Sequence, residues 1–245
     1  QSGKSPDLVR QAVSAISAGA RVVALVNVED SPLAAAADFV VPRHAGPELS
    51  VAATKSYLCS LSALLQLAAE WKDDAALRDA LAAVPAALNE GAAADWHSLV
   101  DGLVDASSLF VVGRGLGLAA AQEAALKLKE TCGIHAEAFS AAEVQHGPMT
   151  LVGPRFPVVF FVQDDDTRES TLAVAGSFRA RGAHVWMIGA AADGCDALPL
   201  PATRDAACTP LVAVHGFYRA VNALAVRRGR DPDAPPHLSK VTETF

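Results

Sequence analysis

The passage Asp7-Leu-Val-Arg-Gln-Ala-Val-Ser-Ala-Ile-Ser-Ala18, then Gly19, then Arg21-Val-Val-Ala-Leu-Val-Asn27 decides the fold, because the same order returns later in the chain. Residues 7–18 place apolar side chains at helical spacing, and Gly19 supplies a helix stop. The β-branched run that follows has the continuous hydrophobicity of a buried parallel strand. Residues 166–181 (DTRESTLAVAGSFRAR), Gly182 and His184-Val-Trp-Met-Ile-Gly189 repeat this sequence of helix, glycine and strand. A short apolar element follows each copy, Asp38-Phe-Val-Val41 in one and Ala197-Leu-Pro-Leu200 in the other. Each is succeeded by a long helical stretch, Val51 to about Trp71 and Pro210 to about Arg227.

Working outward, Ser108-Leu-Phe-Val-Val-Gly113 and Pro157-Val-Val-Phe-Phe-Val162 are apolar enough for central strands. Strands alternating with helices predict an α/β fold whose parallel sheets carry helices on both faces, a three-layer arrangement. The repeat predicts two such lobes rather than one continuous doubly wound sheet. The expected boundaries are 1–72 for the first lobe, 73–105 for connecting helices, 106–230 for the second lobe and 231–245 for a Pro-rich tail. The chain begins at Gln1 with no Met, inside what reads as a strand-to-helix turn. Further residues are therefore expected upstream, and the first lobe is expected to be incomplete at its start.

Half of the 245 residues are apolar (51%), but charges interrupt the Ala-rich stretches, and no run approaches the roughly 18–20 residues of a membrane span. No signal peptide or Arg-rich presequence is evident. The formal charge of −7, with Lys and Arg dispersed, argues against nucleic acid as a partner, which would need a basic face. A small phosphorylated ligand remains compatible, because backbone N–H groups and hydroxyls can hold it without net positive charge. Cys59, Cys132, Cys195 and Cys208 are scattered, with no CxxC and no His at metal-ligand spacing. That pattern suits a reduced cytoplasm and no structural zinc.

Five segments could carry chemistry. Gln1-Ser-Gly-Lys-Ser-Pro6 precedes a helix and combines hydroxyls at Ser2 and Ser5 with a permissive Gly3, as an anion site would, although a plain helix cap has the same composition. The corresponding place in the second repeat, Gln163-Asp-Asp-Asp166, would repel phosphate. Gly113-Arg-Gly115-Leu-Gly117-Leu-Ala119 invites a dinucleotide reading, yet the following His135-Ala-Glu-Ala-Phe region reads as more helix rather than the second strand such a site needs. Glu123, Lys127 and Glu130 lie at i, i+4 and i+7 on one helix face, suiting either a solvated ion pair or proton shuttling between adjacent carbons. His146, held before Gly147-Pro148 at a helix end, could move an anomeric proton or serve as a cap. Lys240, among apolar neighbours in the tail Leu238-Ser-Lys-Val-Thr, could form an imine with a sugar carbonyl if the tail docks.

Taken together, Ser2-Gly-Lys-Ser5, Glu48-Leu-Ser-Val-Ala-Ala-Thr-Lys55, Glu123-Ala-Ala-Leu-Lys-Leu-Lys-Glu130, His135-Ala-Glu-Ala-Phe, His146-Gly-Pro and Leu238-Ser-Lys-Val-Thr resemble the sugar isomerase (SIS) family, in that family's order along nearly the whole chain. The likeness is to the isomerase half of glucosamine-6-phosphate synthase. The block Glu130-Thr-Cys-Gly-Ile-His135 and the chain end resemble more closely the stand-alone SIS-type deaminases. The resemblance implies that Ser2, Ser5 and the amides about Gly3 hold a phosphate, with Gln1, Val51 and Thr54 beside it. Glu130 would move a proton between C1 and C2, supported by Lys127 and Glu123. His146 would open the sugar ring from the neighbouring subunit, and Lys240 would meet the ketose carbonyl. It also implies a homodimer with a shared active site and no metal or organic cofactor. Ala53, where the family has a serine, and Pro235-Pro236-His237 in the tail depart from the pattern.

The expected activity is conversion of glucosamine 6-phosphate to fructose 6-phosphate and ammonia. The alternatives are the isomerase domain of the glutamine-dependent aminotransferase, running the opposite way, and a phosphosugar-sensing regulator without turnover.

Overall fold

The structure, a computed structural model, describes residues 1–240; the end of the tail, 241–245, lies outside the described residues. The chain divides into two compact units, one formed by residues 1–72 with the tail from Asp233 onward, the other by residues 73–232.

The first unit contains α1 (Pro6–Ser17), β1 (Val23–Val26), α2 (Pro32–Ala36), β2 (Phe39–Pro42) and α3 (Lys55–Lys72). Strands β1 and β2 pair in parallel from Val23↔Phe39 to Val26↔Pro42. Ala24, Val26 and Ala34 form the buried centre, with Leu33 and Ala37 packed against it. Pro6 occupies the first turn of α1, where its missing N–H costs nothing. Gly19, at φ +85°, then lets the chain turn toward β1. The long helix expected from Val51 starts only at Lys55. Its first amides are taken by a side chain rather than by a preceding turn: the buried Glu48 carboxylate accepts from the N–H groups of Thr54 (3.2 Å) and Ser56 (2.8 Å). The Val51 N–H donates to the Asp233 carbonyl of the tail (3.0 Å), which holds this stretch as a loop.

The second unit contains α4 (Ala75–Gly91), α5 (His97–Leu103), β3 (Ser108–Gly113), α6 (Leu116–Cys132), β4 (His135–Ser140), β5 (Pro157–Phe161), α7 (Arg168–Ala180), β6 (His184–Ile188), β7 (Asp196–Leu198) and α8 (Thr209–Arg227). Its five strands are all parallel, in the order β4-β3-β5-β6-β7. Alternate residues of the central strands serve two buried layers. Phe110, Val112, Val158, Phe160, Val185 and Met187 pack with Val174, Ala175 and Phe178 of α7. On the other face Phe161 meets Phe217 of α8 edge-on, and α6 and α8 pack against each other and are buried along their lengths. Helices α4 and α5 also pack on α8. No helix among the described residues is long and apolar enough to cross a membrane.

One expectation fails here. His135–Phe139, read from sequence as helix-like, is strand β4, in register with β3 from Ser108↔His135 to Gly113↔Ser140. Gly133 ends α6 in the left-handed conformation (φ 63°), and β3 supplies a free edge, so pairing overrides the poor intrinsic strand preference of Ala and Glu. The glycines of the preceding turn have a packing role. A Cβ at Gly113 would come within 2.3 Å of the Gly117 carbonyl, and one at Gly117 within 2.4 Å of the Gln163 side chain. Close approach of α6 to the strand ends requires both.

Candidate active site

In the first unit the turn Gln1–Ser5 leads into α1. Gly3 adopts φ +65°, and a Cβ there would lie 2.2 Å from Ser31 Oγ, so only glycine fits. The Gly3 carbonyl accepts from the Leu33 N–H (3.0 Å), tying the turn to α2. The Lys4 N–H is directed at Ser2 Oγ (3.3 Å). Ser5 occupies the N-cap position of α1, yet its side chain makes no capping bond. A short side-chain hydroxyl, a glycine backbone and the unmet amides of a helix start therefore stand together, the composition that holds an oxyanion.

The loop before α3 lies in the same unit. Glu48 organises it, accepting also from Thr54 Oγ1 (3.4 Å). Burial acts to raise the Glu48 pKa, but the hydrogen bonds from Ser56 and Thr54 and the charge of Lys240 outweigh it and hold the carboxyl below its ordinary value. The tail returns to this loop at three points. Asp233 accepts the Ser50 hydroxyl (2.5 Å) at its carboxylate and the Val51 N–H at its carbonyl, and the Lys240 ammonium donates to the Ser50 carbonyl. Lys240, exposed, thus lies against the segment that carries Val51 and Thr54.

In the second unit, α6 brings Glu123, Lys127 and Glu130 together. Lys127 Nζ lies 3.5 Å from Glu123 Oε1 and makes a close ion pair with Glu130 Oε2. The solvated ion pair that the spacing allowed is not what forms. Side-chain exposure is 7% for Glu123 and 3% for Lys127, against 21% for Glu130. Burial raises the Glu123 pKa, opposed by the Lys127 charge and by a 2.6 Å hydrogen bond donated by Tyr218 Oη. A carboxylate that reaches solvent beside a buried ammonium, as Glu130 does, is a group that can accept a proton and return it.

His146 is an exposed residue. It follows a single 3₁₀ turn (Glu143–Gln145) rather than the helix expected, and its N–H donates to the Glu143 carbonyl (2.9 Å). Gly147, at φ +129°, continues the chain in a conformation open to glycine. In the acidic turn after β5, Asp165 is satisfied internally by the N–H (2.8 Å) and hydroxyl (2.6 Å) of Thr167, and Gln163 donates to the Arg114 carbonyl (2.7 Å). All four cysteines are free thiols.

Sequence reasoning missed Tyr218, Asp233, Ser50 and the organising role of Glu48. A tyrosine in an aliphatic helix carries no spacing signal. Asp233 reads as one more polar residue of a Pro-rich tail.

The SIS domain family model matches residues 1–70 and 102–194. The isomerizing glutamine–fructose-6-phosphate aminotransferase of Pyrobaculum aerophilum is 36% identical over 98% of this chain, which spans 42% of that protein. Among solved structures, a "putative phosphosugar isomerase" of Silicibacter pomeroyi superposes with a TM-score of 0.90 at 42% identity, covering 95% of this chain and 71% of that one. The C-terminal domain of glucosamine-fructose-6-phosphate aminotransferase from Francisella tularensis gives 0.83 at 28% identity, covering 96% and 72%. The parallel sheets, the glycine-dependent turn before α1 and the match across both units have one reading: this chain belongs to the SIS domain family.

Proposed function

We propose that the protein catalyses proton transfer between C1 and C2 of a hexose 6-phosphate, and that its substrate is glucosamine 6-phosphate, converted with water to fructose 6-phosphate and ammonia. The observation that supports the reading is the buried Glu123–Lys127–Glu130 cluster, which ends at the one carboxylate with access to solvent. His146 is assigned ring opening, supplied by the neighbouring subunit of a homodimer. Glu130 then takes the C2 proton. The C–H electron pair becomes the C1–C2 double bond while the C1 oxygen gains a proton. Return of the proton to C1 leaves an iminium at C2. Addition of water there and departure of ammonia give the ketose. Lys240 is assigned to the carbonyl at C2, and Gln1, Ser2, Gly3, Ser5, Val51 and Thr54 to holding the sugar phosphate. The four free thiols suit a reducing cytoplasm.

A second reading is the aminotransferase's isomerase domain, which runs the same proton transfer toward the amino sugar. The 36% identical aminotransferase of Pyrobaculum aerophilum, of which this chain would be the 42% carrying isomerisation, favours it. The deaminating direction is favoured by the block Glu130-Thr-Cys-Gly-Ile-His135 and the chain end, which resemble the stand-alone SIS-type deaminases. Both readings require proton exchange at C1. Incubating the full-length protein with fructose 6-phosphate and ammonium ion in D2O should replace a C1 proton by deuterium, seen by NMR, and Glu130→Gln should abolish this. An unexchanged wild-type reaction, or exchange that survives Glu130→Gln, would remove Glu130 as the base.

A further inference from the structure

We propose that Tyr218 is a positioning residue for the proton-transfer cluster: its phenol pins the Glu123 carboxylate and so fixes where the Lys127 ammonium sits against Glu130. The inference rests on the proton-transfer reading above. Tyr218 lies on α8, which packs along α6, and its hydroxyl donates to Glu123 Oε1 at 2.6 Å. That same oxygen is the one Lys127 approaches at 3.5 Å. The ammonium stands closer to Glu130, so the phenol supplies Glu123 with its shorter bond and leaves Lys127 free to serve Glu130.

The ionisable groups acting on Glu123 are Lys127 and Glu130 from its own helix and Tyr218 from α8. Burial disfavours the charged carboxylate, while Lys127 and the phenol favour it. Without the phenol, two adjustments are open to Glu123. It can draw Lys127 away from Glu130, or it can take up a proton, after which it no longer attracts the ammonium. Either change moves the base that is to do the chemistry without touching the substrate.

Tyr218→Phe keeps the ring and removes the donor. Three readouts apply to the full-length protein: thermal midpoint, carbon-13 NMR titration of labelled glutamate carboxylates with Glu123→Gln for assignment, and the C1 deuterium exchange of fructose 6-phosphate with ammonium ion present. The expected result is a folded variant in which Glu123 titrates about one pH unit higher, the size a hydrogen bond to a charged group carries. Exchange should fall about tenfold in kcat with KM within twofold. In the Glu123→Gln background the same substitution should cost little further activity, because the effect of the phenol on the proton transfer runs through Glu123. A folded Tyr218→Phe protein whose Glu123 titrates as in the wild type, or equal losses in both backgrounds, overturns the proposal. Should the phenylalanine variant not fold, 3-fluorotyrosine at position 218, a stronger donor of the same shape, must shift the Glu123 titration downward; no shift overturns the proposal. A wild-type protein with no exchange would count against the proposed function alone, and the titration would still decide the role of Tyr218.

Discussion

Replacing Lys127 by methionine keeps most of the apolar stem of the side chain and removes the ammonium, with its charge and its hydrogen-bond donors. Lys127 is 3% exposed and stands between Glu123 at 7% and Glu130 at 21%. Removing one partner from a buried ion cluster costs roughly 3–5 kcal/mol, and the lower end applies because Glu130 can still reach water. The penalty must depend on pH, with a sign set by Glu123. Its pKa is raised by burial, and the Lys127 charge is the leading influence holding it down. Taking that charge away raises it further. A carboxyl whose folded pKa lies above its unfolded value leaves the folded state holding more protons. Its destabilisation is full above the folded pKa and is relieved as pH falls through that value. Lys127→Met should therefore be about 3 kcal/mol less stable than wild type at pH 8 and markedly closer to it at pH 5. Urea denaturation followed by tryptophan fluorescence suits the test. Trp186 and Trp96 of the second unit are 0% and 5% exposed, whereas Trp71 is 84% exposed and contributes little change. A loss below about 1 kcal/mol, or an equal loss at both pH values, would refute the picture of a dry cluster held by one ammonium.

Gly3→Ala should weaken fructose 6-phosphate binding at least tenfold in calorimetry, because the added Cβ falls 2.2 Å from Ser31 Oγ at a positive φ; unchanged affinity would remove the turn from the phosphate site. Glu48→Gln should cost about 1–2 kcal/mol at pH 7, as an uncharged amide replaces the carboxylate that accepts from Thr54 and Ser56. Because the Glu48 pKa is held down, against its own burial, by those bonds, its contribution is present above the unfolded carboxyl value and lost as pH falls through the folded one. The difference between Glu48→Gln and wild type should accordingly shrink in acid, as denaturation at pH 7 and pH 4 would show. Asp233→Ala should release the Ser50 contact, speed tryptic cleavage after Lys240 and lower kcat several-fold while changing KM little.

Much of the architecture is legible because it rests on apolar runs. The stretches about Val23–Val26, Ser108–Gly113, Pro157–Phe161 and His184–Ile188 are short, β-branched or aromatic apolar runs of the kind strands carry, and each is a strand, although Val23 itself is exposed. Strand β4 is the instructive failure. His135-Ala-Glu-Ala alternates polar and apolar residues, exposed and buried in turn at its start, but the stretch lacks the β-branching of a strand, and it forms one because Gly133 stops α6 beside an open edge of β3. The start of α3 escapes the sequence for a related reason: the loop from Glu48 to Thr54 is set by the Glu48 carboxylate turning back onto the helix start and by the tail, neither visible in local periodicity. At the candidate site, spacing alone could group Glu123, Lys127 and Glu130, since four and three residues make a helix face. It could not say that the face is dry. That depends on α8, which lies roughly a hundred residues further along and brings Tyr218.

The most direct test of the account is ammonia release from glucosamine 6-phosphate by the full-length protein with no glutamine present. The account predicts ammonia and fructose 6-phosphate in equal amounts, lost in Glu130→Gln while binding of the sugar phosphate stays within a few-fold. No ammonia from the wild-type protein, or release that continues in Glu130→Gln, would contradict it.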